Sequence, residues 1–281
     1  MFLFVFLFIG CTKPISVSKE PIKKVALVIG NQDYMGNNDL KNPINDAEGM
    51  KETLESIGFE TMLVLDVTLA QLNESLETLK SKIEANKTIV FIYFAGHGNT
   101  LQKNSSEQFL MMTDKKQRTI VSIFKFYDFL KKVQARHSII VLDACRDYQK
   151  HYTPINGAKN EENFRGNIRY DNGLKKDVKV FVEKNNYEDS LPRSTIVSYA
   201  TQRNQKAKDF SRHNRKHSPY SYALMKYLDD EEIPIEEVFR RVRVSILEET
   251  NGEQSSSEEM KLEKNIWLVP KKAKIAFSPP I

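Results

Sequence analysis

Two side chains in this sequence combine nucleophilic chemistry with a placement that suits it. Cys145 closes the run "SIIVLDAC", and His97 follows "TIVFIYFAG" between two glycines. Both runs are dominated by β-branched, aromatic and aliphatic residues, so each reads as a buried strand ending at the reactive side chain. A free thiol, with a pKa of about 8.5, is only a few per cent thiolate at neutral pH. A neighbouring imidazole can take that proton and later return one to a leaving amine. In open α/β sheets, ligands collect at the carboxyl ends of the strands, and consecutive βαβ strands usually lie side by side, which puts His97 and Cys145 on adjacent loops. Gly98 has no side chain to hold a reacting carbonyl away from its N–H. Together with the N–H of Cys145 it forms a candidate oxyanion hole, an arrangement worth about 3 to 4 kcal/mol per donor in other enzymes. Taken singly, a buried cysteine is usually a small hydrophobe and a histidine among glycines a turn residue. The pairing favours chemistry.

The elements that must position these residues alternate short β runs with helical patterns, which predicts an α/β fold with a mostly parallel sheet covered on both faces. "KKVALVIGN" is the first strand. "NDAEGMKETLESIG" follows as a helix, with Ala47, Met50, Leu54 and Ile57 on one face, Asn45 as cap and Gly58 as stop. Strand "FETMLVL" leads to a helix from Thr68 to about Ala85. After strand "TIVFIYF", helix "SIFKFYDFLKKVQAR" precedes strand "SIIVLD". Residues 149–193 carry no sustained period and read as an irregular insertion or functional loop. "STIVSYAT" is the fifth strand. A helix then begins at "SPYSYALMKYL", capped by Ser218 with Pro219 in its first turn. "IEEVFRRVRVSILEE" is another amphipathic helix, and "NIWLV" is expected to be the last strand.

The composition, 40% hydrophobic and 28% charged, permits one sizeable core and argues against a disordered chain. A net charge of +5 spread along the sequence does not call for nucleic acid. The basic stretch "RNQKAKDFSRHNRKH", residues 203 to 217, reads as a solvated surface loop, with a phosphate-binding patch as the rival. No G-x-S-x-G elbow, P-loop or zinc-type Cys/His cluster is present, and no metal ligand set or cofactor is assigned. "NQDYMGNND" reads as a turn, since its spacing is not that of a calcium loop.

The other cysteine, Cys11, follows "MFLFVFLFIG", which is too short to span a bilayer as a helix. "FIGC" resembles the lipobox of bacterial lipoproteins, although Phe8 stands where leucine is usual and no Lys or Arg precedes the run. That resemblance implies a signal peptide over residues 1–11, lipidation of Cys11, a tether over 12–22, and an exported protein held on a membrane. An ordinary secretory signal or a buried first strand are the competing readings.

The stretches "KKVALVIGNQDY", "LKNPINDAEGMKETLESIGFE", "IVFIYFAGHG", "IIVLDACRD", "TIVSYAT" and "HSPYSYALMKYL" resemble, in the same order, those of the caspase-like cysteine peptidases. The histidine lies 48 residues before the cysteine, close to the caspase spacing of about 50. The resemblance covers most of residues 23 to 269 and implies a three-layer α/β/α sandwich with a mostly parallel six-stranded sheet. It places the peptidase domain at 23–270, with a C-terminal tail at 271–281. It further implies a His97/Cys145 dyad and peptide-bond hydrolysis; calcium activation, known in some metacaspases, is left open. Both side chains are expected at loop ends outside the core.

Two departures separate the chain from true caspases. Asp143 and Asp147 stand where caspases have Gln and Gly around the cysteine, and Leu40 stands where they carry a substrate-binding arginine. The sequence is nearer to paracaspases and bacterial caspase-like proteins, and Asp46 and Asp209 match the acidic pocket positions of paracaspases by motif. Asp143, two residues before the nucleophile on a strand, shares its face. Three carboxylates around one pocket predict peptide or protein substrates cleaved after Arg, then Lys, because a guanidinium can bond two carboxylates at once. Dull readings exist: a helix N-terminal charge for Asp46 and a loop charge for Asp209. Self-cleavage is expected at Arg165, Arg169, Lys175, Lys176 or Arg193. A membrane-tethered binding module that kept the fold and lost turnover is the rival function. Monomer and dimer both remain open.

Overall fold

The computed structural model describes residues 22–34, 38–100, 107–116, 118–147 and 190–269, and the main chain of 180–183. In chain order the elements are β1 (Lys24–Gly30), α1 (Pro43–Ser56), β2 (Glu60–Leu65), α2 (Leu69–Ser81), β3 (Ile89–Ala95) and a short β4 (Gly98–Asn99). They continue with β5 (Phe109–Met112), β6 (Arg118–Ser122), α3 (Phe124–Val133), β7 (His137–Asp143), β8 (Val180–Glu183) and β9 (Thr195–Tyr199). The last are α4 (Pro219–Tyr227), α5 (Ile235–Glu249) and β10 (Ser257–Lys261).

The main sheet has six strands in the order β10-β9-β7-β3-β1-β2. Every pairing is parallel except that of β10 with β9. Period-two alternation divides β1 between two cores. Ala26 and Val28 face the layer of α1, α4 and α5, while Val25, Leu27 and Ile29 face α2 and α3. Burying each such aliphatic side chain stabilises the fold by roughly 1.5 to 3 kcal/mol. The α/β/α sandwich and the β3–β7 adjacency thus form as the strand pattern requires.

Local signals explain most element ends. Thr68 caps α2 through a capping box with Gln71. Ser218 caps α4, accepting from the N–H of Ser221 at 2.9 Å, with Pro219 next in line. Gly58 follows the end of α1 with φ +87°, a conformation L side chains rarely adopt. Helix α1, however, starts at Pro43 with Asn42 as N-cap, three residues before the expected cap Asn45, because proline at the first helical position already has a helical φ. Helix α2 ends at Ser81, short of Ala85.

The set of strands differs from expectation. "NIWLV" is not a strand: Ile266 and Leu268 are buried as irregular chain, with the N–H of Ile235 donating to the carbonyl of Ile266 at 2.8 Å. The sixth strand is instead β10, "SEEMK", whose charged side chains suit an edge position. A second, four-stranded sheet, β4-β5-β6-β8, sits beside the carboxyl end of β3, and its β8 falls inside the stretch expected to be irregular.

Beneath β10, Arg146 is nearly fully buried, with its guanidinium 3.6 Å from the centre of the Tyr199 ring. Its Nη1 donates to Ser257 Oγ at 3.2 Å. Burial pushes the Tyr199 phenol up to about 12 and raises those of Tyr127 and Tyr220 further. A group whose folded pKa lies above its unfolded value of about 10 stabilises the fold below that pH and loses its contribution as pH rises through the folded value. Thermal stability is therefore expected to fall as pH rises from about 10 to about 12. Melting curves across that window check it, and flat stability to pH 12 would contradict the assignment.

Candidate active site

The parallel register pairs Ala95 of β3 with Asp143 of β7, and the two chains stay together beyond the strands. The N–H of Gly96 donates to the carbonyl of Asp143 at 3.2 Å, and that of Thr100 to the carbonyl of Asp147 at 3.1 Å. His97 and Cys145 lie between these two bonds, each two residues past the last paired position. Both are almost fully buried, 1% and 0% exposed, so the expectation that they stand outside the core is corrected. The strand layers enclose them because Cys145 continues the face of Ile139 and Val141 into the core below α4.

His97 is held on three sides by the segment after β1. Its Nε2 lies 2.7 Å from the carbonyl oxygen of Asn38. A carbonyl only accepts, so in the neutral ring Nε2 carries the proton and Nδ1 the lone pair, an assignment made from the partner. Tyr34 accepts from the main-chain N–H of His97 at 2.9 Å, and the two rings pack at 4.6 Å between centroids. The segment is itself anchored: Asp66 Oδ1 accepts from the N–H groups of Gln32 and Asp33 at 2.7 and 2.9 Å.

The thiol meets the chain that follows β9. Cys145 Sγ accepts from the N–H of Ala207 at 3.0 Å and lies 3.6 Å from its carbonyl oxygen. Residues 204 and 205 exchange main-chain bonds with Arg146, and Gln254 holds the same stretch through Lys208 N and Ala200 O. Gly98 packs on the Cys145 segment so closely that a Cβ there would lie 2.8 Å from Ala144 Cβ and 3.0 Å from the carbonyl of Cys145. Gln108, fully buried, donates to that same carbonyl at 3.0 Å.

The three carboxylates converge on two helix N-termini. Ser218 joins two of them: its N–H lies 3.2 Å from Asp46 Oδ1, and its hydroxyl donates to Asp143 Oδ2. Asp143 Oδ2 also accepts from Ser221 at 2.5 Å. His217 Nδ1 sits 2.9 Å from Asp46 Oδ1. Asp209 Oδ2 accepts from the N–H of Lys41 at 3.0 Å, and Asn42 donates to the carbonyl of Asp209 at 2.5 Å. The N–H of Asp46 in turn donates to the carbonyl of Asn42 at 2.9 Å, so Asp209 and Asp46 share the first turn of α1. All three carboxylates are fully buried.

Sequence reasoning did not single out Tyr34, Asn38, Gln108, Ala207 or His217. Tyr34 has a signal of sorts, ending the quoted run "VALVIGNQDY", whereas Asn38 and Ala207 act through main-chain atoms that residue type does not reveal. Cys11, Arg165, Arg169, Lys175 and Lys176 lie outside the described residues. Arg193 is exposed and forms a two-pronged ion pair with Glu263, its Nη2 at 2.7 Å from Oε2. Among the described residues no group of three His, Cys, Asp or Glu is set to hold a metal ion.

The caspase-domain family profile matches residues 23–266. A human protein, mucosa-associated lymphoid tissue lymphoma translocation protein 1, is 23% identical over 127 residues, 44% of this chain, and its mouse homolog matches equally. The match spans about 15% of the length of these curated relatives. Among solved structures, the Drosophila initiator caspase Dronc superposes with a TM-score of 0.58 at 13% identity, covering 87% of this chain and 82% of its own. Caspase-1 from Spodoptera frugiperda superposes with a TM-score of 0.61 at 10% identity, covering 89% and 91%. At these identities the superpositions show the fold.

Proposed function

This chain belongs to the caspase-domain family, and on that premise we propose that it is a cysteine endopeptidase that cuts after basic residues, Arg before Lys. The observation that carries the reading is the shared register of His97 and Cys145 beyond β3 and β7, with Nε2 of His97 directed to the carbonyl of Asn38. His97 acts as general base toward the Cys145 thiol. The thiolate attacks the scissile carbonyl, and the imidazolium returns the proton to the leaving amine, leaving a thioester that water hydrolyses. The N–H groups of Gly98 and Cys145 receive the oxyanion. Asp46, Asp143 and Asp209 take the basic side chain, with Ser218 as the hydroxyl and amide that fix two of them.

One observation favours the rival reading of a binding module without turnover: the sulfur is buried against the main chain of Ala207. The peptidase reading requires that contact to open when a peptide enters. A set of fluorogenic peptides differing only in the residue before the reporter separates the two. Turnover is expected to fall in the order Arg, Lys, Asp. Faster turnover of the Asp peptide would remove the pocket assignment and leave the dyad standing, whereas no turnover of any peptide would favour the binding module.

A further inference from the structure

Within the basic surface loop, residues 209–218 form an arch fastened to the candidate pocket residues. Its two feet are pocket residues: Asp209 at one end, and His217 with Ser218 at the other. Between them the chain is fastened at several points. The N–H of Ser211 donates to the carbonyl of His217 at 2.7 Å, and Ser211 Oγ accepts from the N–H groups of His213 and Asn214 at 3.1 and 3.2 Å. The N–H of Arg212 donates to the buried Glu249 at 2.7 Å. Asn42, buried at the start of α1, donates to the carbonyls of both Asp209 and Arg215, closing the arch against Lys41.

This geometry sets two cations about one ring. Lys41 Nζ lies 5.4 Å from the centroid of Phe210, and the Arg215 guanidinium lies 5.8 Å from it. Both side chains belong to exposed residues. Neither has a carboxylate within ion-pair distance among the described residues, although Lys208 and Arg203 nearby are paired with Glu253 and Glu259. Cation–π contact holds a charge in place without neutralising it, so the pair stays available to an anion. Phe210 directly follows Asp209, and the main chain of Lys41 is the group that bonds Asp209, so the platform adjoins the pocket. An extended peptide advances about 3.3 Å per residue and would cross it within a few residues.

We infer that Lys41, Phe210 and Arg215 form a subsite for an acidic side chain, so that favoured substrates carry Glu or Asp one to three residues from the basic residue at the cut. The inference rests on the peptidase reading above. It gives the two charges opposite tasks: carboxylates within the pocket hold the basic residue, and cations on the arch select an acidic neighbour and repel a second basic one.

Internally quenched peptides with a single Arg, bearing Glu, Gln or Lys at each of three positions on either side, test this. At one or more positions the wild-type kcat/KM is expected to be at least tenfold higher for Glu than for Lys, with the ratio shrinking as salt is raised. The ratio should fall toward one in the double variant Lys41→Gln, Arg215→Gln and reverse in Lys41→Glu, Arg215→Glu. A reversal cannot come from misfolding. Turnover with a Glu-to-Lys ratio within twofold at every position would overturn the inference and leave the peptidase standing. So would loss of binding to vesicles containing phosphatidylserine in the Gln variant alongside an unaltered peptide ratio, because the arch would then serve a membrane surface. Absence of any turnover would overturn both readings together.

Discussion

Cys145→Ala and His97→Gln are each expected to lower peptide turnover by at least about a thousandfold, since in the proposed mechanism nucleophile and base act as one unit and removing either disables both. The choice of glutamine follows from the burial of His97. Alanine would remove the buried hydrogen bond to the carbonyl of Asn38, at about 1 to 3 kcal/mol, whereas a glutamine amide can still donate there. Cys145→Ala exchanges one small buried side chain for another and is expected to melt within a few degrees of the wild type. Alkylation of Cys145 by iodoacetamide, followed against pH in wild type and His97→Gln, adds a readout that needs no substrate. A pH profile unchanged by His97→Gln, together with turnover near the wild-type rate, would end the dyad assignment.

Asp143→Asn is expected to cut kcat/KM for Arg peptides by at least tenfold while changing that for citrulline peptides much less. Citrulline has the shape of arginine without its charge, so the ratio of the two isolates the electrostatic part of recognition. Asparagine keeps the size of the side chain and an oxygen that can accept from Ser218 and Ser221. In the proposed pocket, the lost charge-assisted bond to a guanidinium is worth roughly 1.5 to 3 kcal/mol, which corresponds to one or two orders of magnitude. Equal losses on both peptides would make Asp143 a support for the start of α4 and no more.

The parts of this site that were legible in sequence share a physical basis. Apolar runs ending on His97 and Cys145 are strand signals, and parallel crossovers leave few ways to arrange consecutive strands. Ser218 and Pro219 announce α4 because capping is local chemistry. Edge strand β10 was hidden for the opposite reason: "SEEMK" has low strand propensity, and its pairing with β9 is a tertiary matter. "NIWLV" shows the same effect reversed, a β-rich run whose Ile266 and Leu268 fill the core without joining a ladder. The hairpin β5–β6 left a trace in "FLMM" and "RTIVS", but neither run carries a motif residue to draw attention to it. The support of His97 by the Asn38 carbonyl depends on a backbone path that no residue type encodes.

The contact between Ala207 and the Cys145 sulfur makes reactivity a question of populations. An electrophile that reaches the sulfur must displace its contact with Ala207, so the measured rate scales with the fraction of molecules in which that contact is open. Each 1.4 kcal/mol or so favouring closure divides apparent affinity and reactivity alike by about ten. On the proposed peptidase reading, a ligand that wedges the segment away from the sulfur would raise turnover, and one that staples Gln205 to Arg146 would lower it.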